Sequence, residues 1–162
     1  MKKIIRSLFV IILILTICIL HHPKDSIGSV GKSIINEINH SIDVNGDCTI
    51  DLRMVTNFEW DKVIIVSADF LATGYSKEEI KNIFGIEYEF QPGFKSRLIF
   101  LKDNSVVYEE SYSASIEHPE KFNISISPKL NYYCILPCDN ACIPAGRTQY
   151  NTEKFCYSLI IE

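Results

Sequence analysis

The sequence predicts an α+β domain built on a mainly antiparallel sheet, with an N-terminal amphipathic helix and one short helix, preceded by a membrane-targeting segment. Three observations carry that class. Apolar residues recur at spacings of three and four over residues 27–42 and again over 80–84, the period of helices with one buried face. From residue 48 onward, short alternating or continuous apolar runs prevail, the period of strands. A cationic start runs directly into an apolar stretch at the beginning of the chain. Gly and Pro are sparse and no repeat or low-complexity tract occurs, which excludes a disordered or fibrous chain.

Met1-Lys2-Lys3-Ile4-Ile5-Arg6 leads into an apolar run from Leu8 to Leu20, broken by Thr16 alone. Export machinery reads that order of charge and grease, so residues 1–25 form a signal or anchor segment and the remainder works extracytoplasmically. Bulky Ile17 before Cys18 disfavours lipidation there, and the small residues Ser26 and Gly28 follow the charged Lys24 and Asp25, which makes a poor cleavage site. Ser7 to Leu20 spans 14 residues. A bilayer asks for about 20, and Ile4 and Ile5, with Arg6 snorkelling, extend the reach. The reading therefore favours a membrane anchor through residues 4–20 with the N-terminus inside, and a secreted domain if the leader is cut.

Roughly 135 residues follow, the size of one compact domain. The whole chain carries a net charge of −4, but residues 1–28 hold Lys2, Lys3, Arg6, Lys24 and Asp25, leaving 12 basic and 19 acidic residues and a net of −7. No basic cluster remains, so nucleic acid is excluded as a partner.

Residues 26–45 read as a linker helix, with Ile27, Val30, Ile34, Ile35, Ile38 and Ile42 on one stripe and Asn45-Gly46 as the turn after it. Residues 46–162 form the domain proper. Cys48, Ile50, Leu52 and Met54 alternate with polar residues as a half-buried strand, whereas 62–66 is apolar on both faces and predicts a central strand. Over 75–85, Ser76 and Glu79 form a capping box, Ile80, Ile83 and Phe84 face inward, and Gly85 stops the helix. A hairpin follows, 97–102 and 106–112 about Asp103-Asn104-Ser105. Residues 122–126 alternate strictly, and strands 132–136 and 155–161 close the domain as a cysteine-rich hairpin across a loop with Pro137, Pro144 and Gly146.

Over residues 58–112 the chain resembles a group of small exported bacterial proteins of unknown activity. The resemblance rests on the Phe58-Glu59-Trp60-Asp61 strand start, the Tyr75-Ser76-Lys77-Glu78-Glu79-Ile80 helix ending in Phe84-Gly85-Ile86, and the hairpin. It implies a secreted or lipoprotein-like location and no catalytic residues.

Five cysteines follow the leader, and in an oxidising compartment nearby thiols pair. The hairpin would bring Cys134 to Cys156, and Cys138 and Cys142 would join across a tight turn, closing loops worth about 3 kcal/mol. Cys48 is then the odd thiol, buried on its strand. A zinc site from the same four cysteines would need its last ligand 13 residues from the others and no His, which is unlike known zinc knuckles. Asp43, Asn45, Asp47 and Asp51 imitate a calcium loop, but Cys48 stands where the Gly belongs and Met54 where the bidentate carboxylate belongs.

No metal or cofactor is expected. Catalytic residues are likewise absent from the expectation: there is no Gly-x-Ser-x-Gly, and only His40 and His118 follow the leader. Glu109 and Glu110 point to opposite sides of a strand, and Glu87 and Glu89 suit a solvated face. Among the aromatics, Trp60, Tyr75 and Tyr112 are candidates for a partner surface, although the same residues fill sheet cores. The sequence thus points to a non-enzymatic, membrane-tethered binding domain, of interaction or immunity type, with an unidentified protein partner. The competing reading is a small secreted hydrolase whose active site joins His40 or His118 to a carboxylate.

Overall fold

The computed structural model describes residues 27–42, 46–91, 93–113, 122–149 and 155–162. Among them lie three helices, α1 (Ser29–Ser41), α2 (Leu52–Val55) and α3 (Lys77–Phe84). Eight strands accompany them: β1 (Asp47–Asp51), β2 (Lys62–Val66), β3 (Lys95–Lys102), β4 (Ser105–Ser113), β5 (Phe122–Ile126), β6 (Tyr133–Pro137), β7 (Cys142–Gln149) and β8 (Phe155–Ile161). The class is α+β, and every strand pair is antiparallel except β5 with β8. The strands form two four-stranded sheets rather than one, in the orders β4-β3-β2-β6 and β1-β7-β8-β5. The leader lies outside the described residues, among which no helix is long and apolar enough to cross a membrane.

The inner strands of the first sheet are sealed on both sides. β2 is central, as its continuous apolar run requires. Val63 and Ile65 join Leu98 and Phe100 in a core between the sheets, and Ile64 and Val66 join Ile99 and Leu101 in a second core beneath α3. α3 ends as predicted: Ser76 and Glu79 close a reciprocal capping box, and Gly85 takes the left-handed conformation with φ 72°. Asp103 and Asn104, with φ 50° and 59°, make the two-residue turn of the β3–β4 hairpin.

α1 occupies the span its periodicity predicts, but it is not a detached linker. Val30, Ile34 and Ile38 are buried in the inter-sheet core. Its first turn is held by a residue distant in sequence, since Glu110 on β4 accepts hydrogen bonds from the backbone N–H of Val30 and of Gly31, both at 3.1 Å. A carboxylate at a helix N-terminus satisfies orphan donors and meets the positive end of the dipole. The close approach demands glycine: a Cβ on Gly31 would stand 2.6–2.8 Å from Ile27, Glu110 and Tyr112.

Three sequence expectations are corrected. The strand predicted through Val55 stops at Asp51, whose side chain accepts from the backbone N–H of Arg53 and starts α2, leaving Met54 79% exposed. The segment read as a loop around Pro144 and Gly146 is β7, an inner strand. Its ladder with β8 begins at Ala145, so Pro144 stands past the end of that ladder and faces only edge strand β1. Finally, β6 and β8 do not form a hairpin: β6 pairs with β2 in one sheet, and β8 lies between β7 and β5 in the other.

Candidate functional site

Among the described residues, the outer face of the β1-β7-β8-β5 sheet is a broad surface that alternation leaves open. Inward residues Ile50, Ile143, Ala145, Leu159, Phe122, Ile124 and Ile126 are buried, so their neighbours point to solvent. Asp47, Gly146, Ser158 and Asn123 stand side by side across all four strands. In the adjoining positions Thr49 opposes Pro144, and Ser125 opposes Ile160. A concavity of about 690 Å³ opens at this end of the sheet, lined by Asp47, Thr49, Cys142, Pro144, Ile160 and Glu162 and reaching inward-facing Cys48, Ile143, Ala145 and Ile161 and Leu136 of β6. Its lining combines apolar Pro144 and Ile160 with two carboxylates. At the far end of β1, Asp51 is clasped through both oxygens by Arg53, which holds its carboxyl below the ordinary value.

The cysteines are dispersed by the topology. Cys134 lies on β6 of the sealed sheet, whereas Cys156 lies on β8 beside Thr148, on the outer side of the other sheet. The bridge expected between them is not formed, because their strands never pair. Cys138 opens a short 3-10 turn and Cys142 follows it at the start of β7; both remain thiols near the Arg53 guanidinium. Burial pushes the thiols of Cys134 and Cys156 up. With Cys134 and Cys156 on separate sheets, the four-cysteine zinc set is not assembled. Of the calcium-loop residues, Asp43 and Asn45 lie outside the described residues, and Asp51 is engaged by Arg53.

The aromatic candidates are mostly interior. Trp60 is 5% and Tyr112 4% exposed, the first packed edge-on against Phe100 and the second against Phe122. Neither contributes to a surface, because each fills the inter-sheet core. Tyr75 is half-buried against Phe70.

Two polar clusters hold the sealed sheet together. Around Glu110, the Tyr108 hydroxyl donates to the carboxylate at 2.7 Å and shares a 2.9 Å hydrogen bond with Ser29, while the buried Tyr112 hydroxyl beside it makes no hydrogen bond. On the other face, Arg97, 2% exposed, pairs with Glu109, donates to the Gln91 carbonyl at 2.8 Å and lies over the Phe90 ring. Burial, then Glu109, pushes the Tyr88 hydroxyl well above its ordinary value. Glu87 and Glu89, the second carboxylate pair, are taken by Lys81 and Lys77 of α3. Both clusters are spent on fixing α1 and the 87–91 segment.

His40 sits on the exposed side of the last turn of α1 with its Nδ1 2.6 Å from the Asn36 carbonyl, and His118 lies outside the described residues. The described residues thus form an α+β domain of two sheets with one open, partly acidic face. Compared with protein-family models, with curated proteins and with solved structures, the chain matches none.

Proposed function

We propose that this chain is a non-enzymatic extracytoplasmic binding domain, tethered to a membrane by residues 4–20, that takes a protein partner on the outer face of the β1-β7-β8-β5 sheet. The concavity around Pro144 and Ile160 carries this reading: an apolar centre beside carboxylates on an otherwise polar face suits an apolar side chain flanked by cations. The net charge of −7 beyond the leader favours the same cationic partner by steering. The cationic, apolar leader and the resemblance to small exported bacterial proteins support the location.

The test is saturable binding of partners purified from host envelopes to wild type, to Ile160→Arg and to a control, Glu78→Arg, on exposed α3. A partner lost with Ile160→Arg and kept with Glu78→Arg supports the reading. Equal capture by all three, with circular dichroism showing each folded, overturns the assignment of this face.

A further inference from the structure

A second surface is fixed by where the chain enters the domain. Ile27 is packed against the inter-sheet core, and Ser29 is hydrogen-bonded to Tyr108 of β4. The entry point therefore cannot swing away from the β4 edge. In the sequence, His21 to Ser26 are all that separate Leu20, the end of the apolar run, from Ile27. Seven peptide units reach at most about 25 Å. A domain of this size is roughly 37 Å across, from its expected radius of gyration. The tether is thus shorter than the domain it holds.

The residues around that point are unlike the rest of β4. The register with β3 slips between Phe100 and Leu101, so that Phe100 faces Tyr108 and Leu101 faces Val106, with Val107 as the extra residue of a bulge. A bulge breaks the alternation that would bury one of two neighbouring side chains. Val106 and Val107 are accordingly both exposed, at 43% and 45%. Lys32 projects from the first turn of α1, also exposed. An adjacent exposed apolar pair with a lysine beside the point of entry is the composition of a surface that meets lipid headgroups, while Tyr108 keeps its hydroxyl on Glu110 and Ser29.

We propose that this edge, Val106 and Val107 with Lys32, lies against the bilayer that holds the leader. The proposal rests on the tether assigned under the proposed function. It does not overlap the outer face of the other sheet, because Val106 and Val107 belong to the β4-β3-β2-β6 sheet.

The experiment uses the full chain in vesicles of phosphatidylcholine and phosphatidylglycerol, with a fluorescent amino acid incorporated at position 13, 107 or 125 in turn. Lipids carry a nitroxide quencher either on the headgroup or on the acyl chain. The expected result is acyl-chain quenching at 13, headgroup quenching at 107 and none at 125, and loss of the signal at 107 in Val106→Glu. Quenching at 13 with none at 107 leaves the tether standing and overturns the surface, as does equal quenching at 107 and 125. No quenching at 13 overturns the tether and the surface with it.

Discussion

In the β4-β3-β2-β6 sheet the inner strands β2 and β3 are buried on both faces, one against the inter-sheet core and one under α3, while in the β1-β7-β8-β5 sheet only the inner face is buried. The contrast is already written in strand composition. β2 and β3 carry continuous apolar runs, which water would penalise on either side, whereas β5 reads Phe122-Asn123-Ile124-Ser125-Ile126 and is buried at every second residue. A sheet whose inner strands spend both faces on stability has no broad face left for a partner. The half-solvated one does, and mutations should divide along the same line.

The largest effect is expected in the sealed sheet. Phe100 is fully buried and touches Phe58 and Trp60 edge-on. Phe100→Ala should cost about 3–5 kcal/mol, read as a lowered denaturant midpoint at unchanged slope. A loss below about 1 kcal/mol would break the distinction between the sheets. Next comes the attachment of α1: Glu110→Ala strands the Val30 and Gly31 N–H groups and leaves the Tyr108 hydroxyl with Ser29 alone, for about 1–3 kcal/mol. Tyr112→Phe should instead be neutral or stabilising, since it removes a buried hydroxyl that has no partner.

Alkaline pH sharpens the same comparison. Burial first, with Glu109 or Glu110 adding to it, raises Tyr88, Tyr108 and Tyr112, and burial alone raises Cys134. These groups belong to the sealed sheet or pack on it; on the open sheet burial raises Cys156 as well, so the tyrosines carry the difference. A folded-state pKa above the unfolded value means that the unfolded chain ionises first as pH rises. The stability is then complete below the unfolded values, about 8.5 for Cys and 10 for Tyr, and is lost as pH climbs through the folded ones. Melting temperature should hold from neutrality to about pH 8.5 and then fall; removing the buried tyrosine hydroxyl in Tyr112→Phe should flatten that fall.

Local signals were legible and long-range pairing was not. α1, α3, β2 and the β3–β4 hairpin follow from periodicity, a capping box and a two-residue turn, all of which act within a few residues. The partners of β6 and β8 depend on which strands meet across the domain, and nothing within 132–136 or 155–161 encodes that. β7 was hidden because Pro144 and Gly146 are ordinarily loop residues, and their tolerance rests on where the β8 ladder ends. Gly28 and Gly31 are poor helix formers by local propensity, yet they are the residues that admit Glu110, a contact spanning 79 residues between Gly31 and Glu110. The open face was legible only in part: the alternation of β5 announced it, but the concavity required β7 to be recognised as a strand.

The smallest stability effect is expected at the candidate site. Ile160 is half-buried among Thr49, Pro144 and Ser125 on the outer face, with solvent rather than a second layer above it. An arginine there can lay its methylenes across Pro144 and keep its charge in water near Glu162. Ile160→Arg should therefore change the unfolding free energy by no more than about 0.5 kcal/mol. A loss as large as that of Glu110→Ala would mean that the residue is structural, and that the outer face is a second core surface whose cover lies outside the described residues. Retained stability together with lost partner binding would separate the two sheets by role.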